Sequence, residues 1–127
     1  WDNFHAEIKR VFHDRDVFDI PRSHAIFNCV FTIPPDLNLQ CPNIGDGTDH
    51  QFTGITYESR ARYDGDTEAH IRGINDDKGR LCVVICHNTD NGDGWEREGE
   101  SDYYFHNFSE KIAYPLGINI IFYVMTH

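Results

Sequence analysis

Residues 80–96 read RLCVVICHNTDNGDGWE, and the reading of the fold turns on them. Leu81-Cys82-Val83-Val84-Ile85-Cys86 is an apolar run without polar alternation. That pattern predicts a strand buried on both faces, as in the parallel sheet of an α/β domain. The run gives way to His87-Asn88-Thr89-Asp90-Asn91-Gly92-Asp93-Gly94, which carries no apolar side chain beyond the Thr methyl. A polar, Gly-containing loop at the carboxyl end of a buried strand is where open α/β sheets place ligand sites. If the chain has a site, the sequence places it there.

Working outward, His70–Asn75 has strand character with Ile71 and Ile74 facing inward, and Asp76-Asp77-Lys78-Gly79 is a turn signal. His70–Asn75 and Arg80–Cys86 are therefore expected to form a β-hairpin. At the amino end, Phe4, Ile8, Val11 and Phe12 fall at helical spacing, so residues 1–13 read as a helix with Asp2 as N-cap. Val17–Ile20 reads as a short strand, and Ile26–Phe31 as a strand or extended segment ending at Pro34-Pro35. Residues 34–54, rich in Pro and Gly, read as an excursion from the core. Phe52–Arg62 reads as a strand or an irregular arm, and Tyr63–Thr67 as a turn. Tyr103–Tyr114 is helical in pattern, with Tyr104, Phe108 and Ile112 on one face. Pro115 should kink that helix. Beyond it, Ile118, Ile121, Phe122 and Met125 fit one face of a helix that continues to the C-terminus, although the β-branched content also suits a strand.

The chain has 127 residues, enough for one modest α/β domain spanning residues 1–127. It begins at Trp1 rather than Met, which reads as a processed product or a fragment. Lys and Arg total 11 against 21 Asp and Glu, a formal charge of −10. A nucleic-acid surface would be basic, so no nucleic-acid partner is expected. The same balance suits a cation site or a cationic partner. No apolar run reaches the roughly 18 residues of a membrane span. Cys29, Cys41, Cys82 and Cys86 form no CxxC pair and hence no zinc pattern. Cys82 and Cys86 on one strand would lie roughly 13 Å apart, too far for a disulfide. Cys29 and Cys41 could pair across a loop, but four buried free thiols is the preferred reading.

Several of these segments together resemble a known bacterial family. They are Trp1-Asp2-Asn3-Phe4 with Glu7 and Arg10-Val11-Phe12; Ser23-His24-Ala25-Ile26-Phe27; Gly79-Arg80 with Asn88 through Glu96; and Ala113-Tyr114-Pro115-Leu116-Gly117-Ile118-Asn119 with Tyr123–His127. The family is the domain of unknown function numbered forty-one fifty-nine, and the resemblance runs in order along nearly the whole chain. It implies a flavodoxin-like, class I glutamine-amidotransferase-like three-layer sandwich. It also implies that this chain is the C-terminal portion of a larger family domain, whose further strands and Gly-rich segment lie upstream of Trp1. Members are mostly exported, so a periplasmic or extracellular location follows from the resemblance. No reaction follows from it.

Four constellations could carry chemistry. His87, Asp90 and Asp93 share one loop, and carboxylates so spaced can converge on a hard cation such as Ca²⁺ or Mg²⁺. The alternating Asp/Asn pattern of an EF-hand is missing, so no cofactor is expected. The preferred reading has Asp90 and Asp93 capping turns and the following helix. His24 could serve as a base, or simply hydrogen-bond a loop. Cys86 beside His87 offers a nucleophile and a base without the sharp elbow that cysteine catalysis needs. Trp95, Tyr103, Tyr104 and His106 beside an acidic loop suit a carbohydrate face, or the edge of a core. Asn88, Asp90, Asp93 and Trp95 are the expected ligand-binding residues. Two functions remain: a non-catalytic binding or assembly module, and a hydrolase-like or carbohydrate-related enzyme using Asp90 or Asp93 with His87 or His24. The binding module is preferred, with a protein partner, self-assembly through an exposed sheet edge, or a carbohydrate as its ligand.

Overall fold

The computed structural model describes residues 1–56 and 68–127. The readings of Phe52–Arg62 beyond residue 56 and of Tyr63–Thr67 lie outside them. Among the described residues, three strands form one antiparallel sheet in the order β1 (Phe18–Asp19), β2 (His70–Asn75), β3 (Leu81–His87).

The β2–β3 hairpin forms as its turn chemistry requires. The carboxylate of Asp76 accepts from the backbone N–H of Lys78 and Arg80 and from the Arg80 guanidinium. The backbone N–H of Arg80, followed by its side chain, holds the Asp76 carboxyl down at about 2. Gly79 closes the turn at φ 76°, in the left-handed region that favours glycine.

The parallel, doubly buried reading of Leu81–Cys86 is corrected here. β3 pairs with β2 alone among the described strands and runs antiparallel to it, with Cys82 exposed and Ile85 and His87 buried. The uninterrupted apolar run has a different cause. Ile71, Leu81, Val84 and Cys86 pack into the main core with Ile112 and Leu116. Val83, Ile85 and His87 alternate to the other face, toward Trp1, Phe4 and Ile8 of the amino-terminal segment. Both faces thus meet apolar neighbours, with β2 the one described strand paired to it.

Helix α1 (Asp2–Val11) is capped by Trp1 without a side-chain bond, so Asp2 sits in the first turn rather than at the N-cap. Its apolar stripe is incompletely covered, and Phe4 and Val11 are exposed. Ile26–Phe31 is not a strand. Residues Ala25–Phe27 form a 3₁₀ turn that buries Ile26 and Phe27. Neighbours in a strand would point to opposite faces; the tight turn lets both enter one core. The 34–54 excursion holds as loop, with the short helix α2 (His50–Thr53) near its end.

After α3 (Asn91–Glu96) and a 3₁₀ turn at Glu98–Glu100, the chain enters a long C-terminal helical rod. It starts as α4 (Asp102–Tyr104), widens to a π-helix over Phe105–Ala113, and continues as α5 (Tyr114–Thr126). The Tyr114 N–H donates to the Ser109 carbonyl, five residues back. Pro115 has no N–H to donate, so it falls where the α-helical pattern restarts and no donor is needed. Tyr104, Ile112, Leu116 and Tyr123 face the core. The predicted face of Ile118, Ile121, Phe122 and Met125 is helical but not covered, and Met125 is 78% exposed. The buried stripe passes instead through Asn119, whose side chain binds the 30–31 backbone.

Two glycines set how closely α3 approaches the rod. A Cβ on Gly94 would lie 2.4 Å from the Ala113 Cβ, and one on Gly117 would lie 2.1 Å from the Trp95 ring. The Gly94 contact is between short, rigid groups, so Gly94→Ala must push the two helices apart. We expect a loss of about 2 kcal/mol in urea unfolding; a loss near zero would mean that α3 does not pack on the rod this closely.

Candidate functional site

An apolar groove of about 630 Å³ lies between α1 and β3. Trp1, Phe4 and Ile8 line one side. The other side is continuous chain from Val83 to Asp90, and Thr56 completes it. The sheet supports it from beneath: the Arg72 guanidinium lies over the Trp1 ring at 4.4 Å and bonds the His87 imidazole at 2.8 Å. The His87 ring also lies 4.6 Å from Trp1 and 5.6 Å from His70. Paired residues on antiparallel strands share a face, which is why His70 and Arg72 meet His87.

At its carboxyl end β3 breaks at Asn88, which adopts φ 55°, a conformation asparagine tolerates better than most residues. Its buried side chain explains why it holds: Nδ2 donates to the Glu68 carbonyl at 2.9 Å, and Oδ1 accepts from the Thr56 hydroxyl. Thr89 then ties the loop to the 34–54 excursion. Its hydroxyl donates to the Leu39 carbonyl at 2.7 Å and accepts from the Cys41 N–H at 2.8 Å.

The two carboxylates continue this seam. Asp90 caps α3, accepting from the Asp93 N–H at 3.0 Å, and its second oxygen accepts from the Asn43 amide at 2.8 Å. Asp93, only 5% exposed, accepts from the backbone N–H of Ile44 at 2.7 Å and Gly45 at 2.8 Å. Arg97 lies 3.5 Å from its other oxygen. Both carboxylates therefore cap backbone, the role preferred from sequence. Among the described residues no group of three or more His, Cys, Asp or Glu side chains could hold a metal ion.

His87, Asn88 and Asp90 come together on the groove. Asp93 and Trp95 do not line it. Trp95 is 46% exposed on α3, and its indole N–H donates to the Ala113 carbonyl at 2.8 Å. His24 belongs to another part of the fold: its Nδ1 accepts from the Ile26 N–H at 3.2 Å, and its ring packs 5.1 Å from Tyr123. Burial, and then the neighbouring His127, lower the His24 pKa, consistent with that acceptor role. Of the aromatic group, Tyr104 is fully buried with its hydroxyl donating to the Pro42 carbonyl at 2.8 Å, whereas Tyr103 is exposed beside Phe52. Trp1, Phe4, Ile8 and Arg72 are site residues that the sequence reading missed. Their helical spacing and strand alternation were visible; what they pack against was not.

All four cysteines are free, so Cys29 and Cys41 are not paired, and Cys82 is exposed rather than buried. Cys86 and His87 are strand neighbours and point to opposite faces, which prevents a dyad. Burial raises the Cys86 thiol and pushes Cys41 up to about 12. Iodoacetamide near pH 8 should therefore modify Cys82 first and Cys41 only after unfolding, because the thiolate is the reactive form. Peptide mass mapping reads the order, and equal rates at the two sites would contradict this burial.

The sequence profile of the family described as Domain of unknown function (DUF4159) matches residues 1–125. The chain belongs to that family. No curated protein and no solved structure gives a match. Within this family member, the loop after β3 joins the excursion to α3 and closes one end of the groove. No helix among the described residues is long and apolar enough to cross a membrane.

Proposed function

We propose that this chain is a non-catalytic binding module whose ligand occupies the α1–β3 groove. One observation carries the reading: this groove is walled mainly by apolar side chains, while the loop carboxylates beside it are bonded to their own chain. A concave, mostly apolar site with a few polar groups at one end is the usual form of a ligand pocket. The flavodoxin-like, amidotransferase-like relation belongs to this proposal; helical segments against both faces of a sheet support it. Export belongs to it too, resting on the resemblance, and fractionation of the producing cells tests it.

The neutral dye Nile red is the test probe. It should bind one saturable site and quench Trp1, and Phe4→Glu should weaken it at least tenfold, since Phe4 lines the groove and is exposed enough to change without unfolding α1. Dye binding that ignores Phe4→Glu would reject the groove as the site. The enzymatic alternative places a hydrolytic or carbohydrate-directed reaction at His87 with Asp90. An activity that disappears in Asp90→Asn while stability is kept would replace the binding reading.

A further inference from the structure

We propose that His87 is a proton-operated latch at the groove: neutral, it accepts a hydrogen bond from Arg72 and the pair holds Trp1 in the groove wall; protonated, it parts from Arg72 and puts its charge into the groove. This rests on the reading of the groove as a binding site and names its control.

The chemistry follows from one contact. Arg72 Nη1 lies 2.8 Å from His87 Nδ1. A guanidinium only donates and stays charged at any working pH, so Nδ1 must accept with its lone pair. His87 is therefore a neutral imidazole with its proton on Nε2. A second proton would have to enter at Nδ1. That removes the acceptor and sets two cations against each other, on a side chain only 5% exposed. The contact and the proton exclude one another. While Arg72 occupies Nδ1, His87 has no lone pair left for base catalysis.

Trp1 senses the state of the pair because both members touch it. The Arg72 guanidinium lies 4.4 Å from the Trp1 ring, and the His87 ring lies 4.6 Å from it. Every described element around the pair brings a charged or titratable group. From β2 comes His70, whose ring lies 5.6 Å from that of His87 on the shared sheet face. From β1 comes Asp19, which accepts from His70 Nδ1 at 3.0 Å and from Arg72 Nε at 3.2 Å. From α1 comes His5, stacked on Trp1 at 5.2 Å. The loop after β3 brings Asp90, which lines the groove and accepts from Asn43. Asp19 retains Arg72 on the sheet when His87 is protonated, so the imidazole is the group that turns away. It turns toward the groove that it already lines, where a charge disfavours an apolar ligand.

Long-range ¹H–¹⁵N spectra of the imidazoles test the pairing, since they show which ring nitrogen carries the lone pair. At about pH 7.5 His87 should be neutral with its proton on Nε2. Between about pH 7.5 and 5, above the carboxylate range, the Trp1 indole signal should shift with the same midpoint as His87, and Nile red affinity should fall about fivefold. Arg72→Met removes the donor and keeps an apolar stem; it should raise the His87 midpoint by about one pH unit. His87→Asn places an amide oxygen near the Nδ1 position, and in it neither the Trp1 signal nor the dye affinity should change over this range. His87 found charged at neutral pH, or neutral with its proton on Nδ1, overturns the latch without any variant having to fold. A Trp1 signal that ignores the protonation of His87, or a pH response that persists in His87→Asn, overturns it as well. If Trp1 follows His87 but Nile red binds equally across the range, control of the groove is overturned and the groove reading survives. If the dye binds at no pH, the groove reading falls, while the joint titration of His87 and Trp1 still decides the latch.

Discussion

Asp93→Ala is expected to lower the unfolding free energy by about 3 kcal/mol in urea melts. The Asp93 carboxylate is buried and accepts from the backbone N–H of Ile44 and Gly45 while facing Arg97. Alanine leaves those two donors without their acceptor; the Ile44 N–H is buried, and an unpaired buried donor costs more than a hydrogen bond contributes, whereas water can reach the exposed Gly45. Arg97 adds little to this, because it is more than a third exposed and keeps Glu100 as a partner at 2.6 Å. Asp93→Asn retains an acceptor oxygen and should lose about half as much. Hydrogen exchange at Ile44 and Gly45 should rise in both variants, more in alanine. Melting should be the same with calcium as with chelator. A calcium-dependent rise that Asp93→Asn removes would assign the carboxylate to a cation rather than to the excursion, because binding to the folded state alone raises the melting temperature.

The second large effect is at Asn119. It is fully buried in a helix of otherwise apolar character. Its Oδ1 accepts from the N–H of Val30 at 3.1 Å and Phe31 at 2.8 Å, and its Nδ2 donates to the Phe31 carbonyl at 2.8 Å. Asn119→Leu keeps the branched shape and the number of side-chain heavy atoms and removes all three bonds. A loss of about 2–4 kcal/mol is expected, reduced from the fully buried case because Val30 and Phe31 are partly exposed and water can reach some of the freed groups. Exchange at Val30 and Phe31 should rise while the β2–β3 hairpin keeps its protection. Near-neutral stability would mean that the 30–31 segment is held by its other contacts and that the asparagine bridge is dispensable.

What could be read without the structure was local. The hairpin was legible because Asp76 and Gly79 satisfy their own turn within a few residues of one another. The amino-terminal helix was legible from its spacing, and Asp90 as a cap from its place before α3. A helix continuing through Pro115 was legible because proline is tolerated wherever its missing N–H has no partner to lose.

The remainder depended on groups far apart in the chain. Ile26–Phe31 has the composition of a strand, yet the burial of Ile26 and Phe27 in one core selects a 3₁₀ turn. An apolar run such as Leu81–Cys86 reports apolar surroundings on both faces and carries no information on whether a neighbour lies along its edge. Its antiparallel pairing is decided by β2, which the hairpin turn brings alongside it. The groove is likewise a tertiary object, since Phe4 and Ile8 face Val83 and Ile85 across it only in the folded chain. By itself the sequence determined the elements that hydrogen-bond within themselves or to near neighbours, where each residue's partners lie a few positions away. Only the tertiary structure decided that Asp93 and Asn119 are bridges and that the face of Ile118 and Phe122 stays exposed among the described residues. Those outcomes depend on which distant backbone group or side chain arrives opposite, and side-chain periodicity does not encode that.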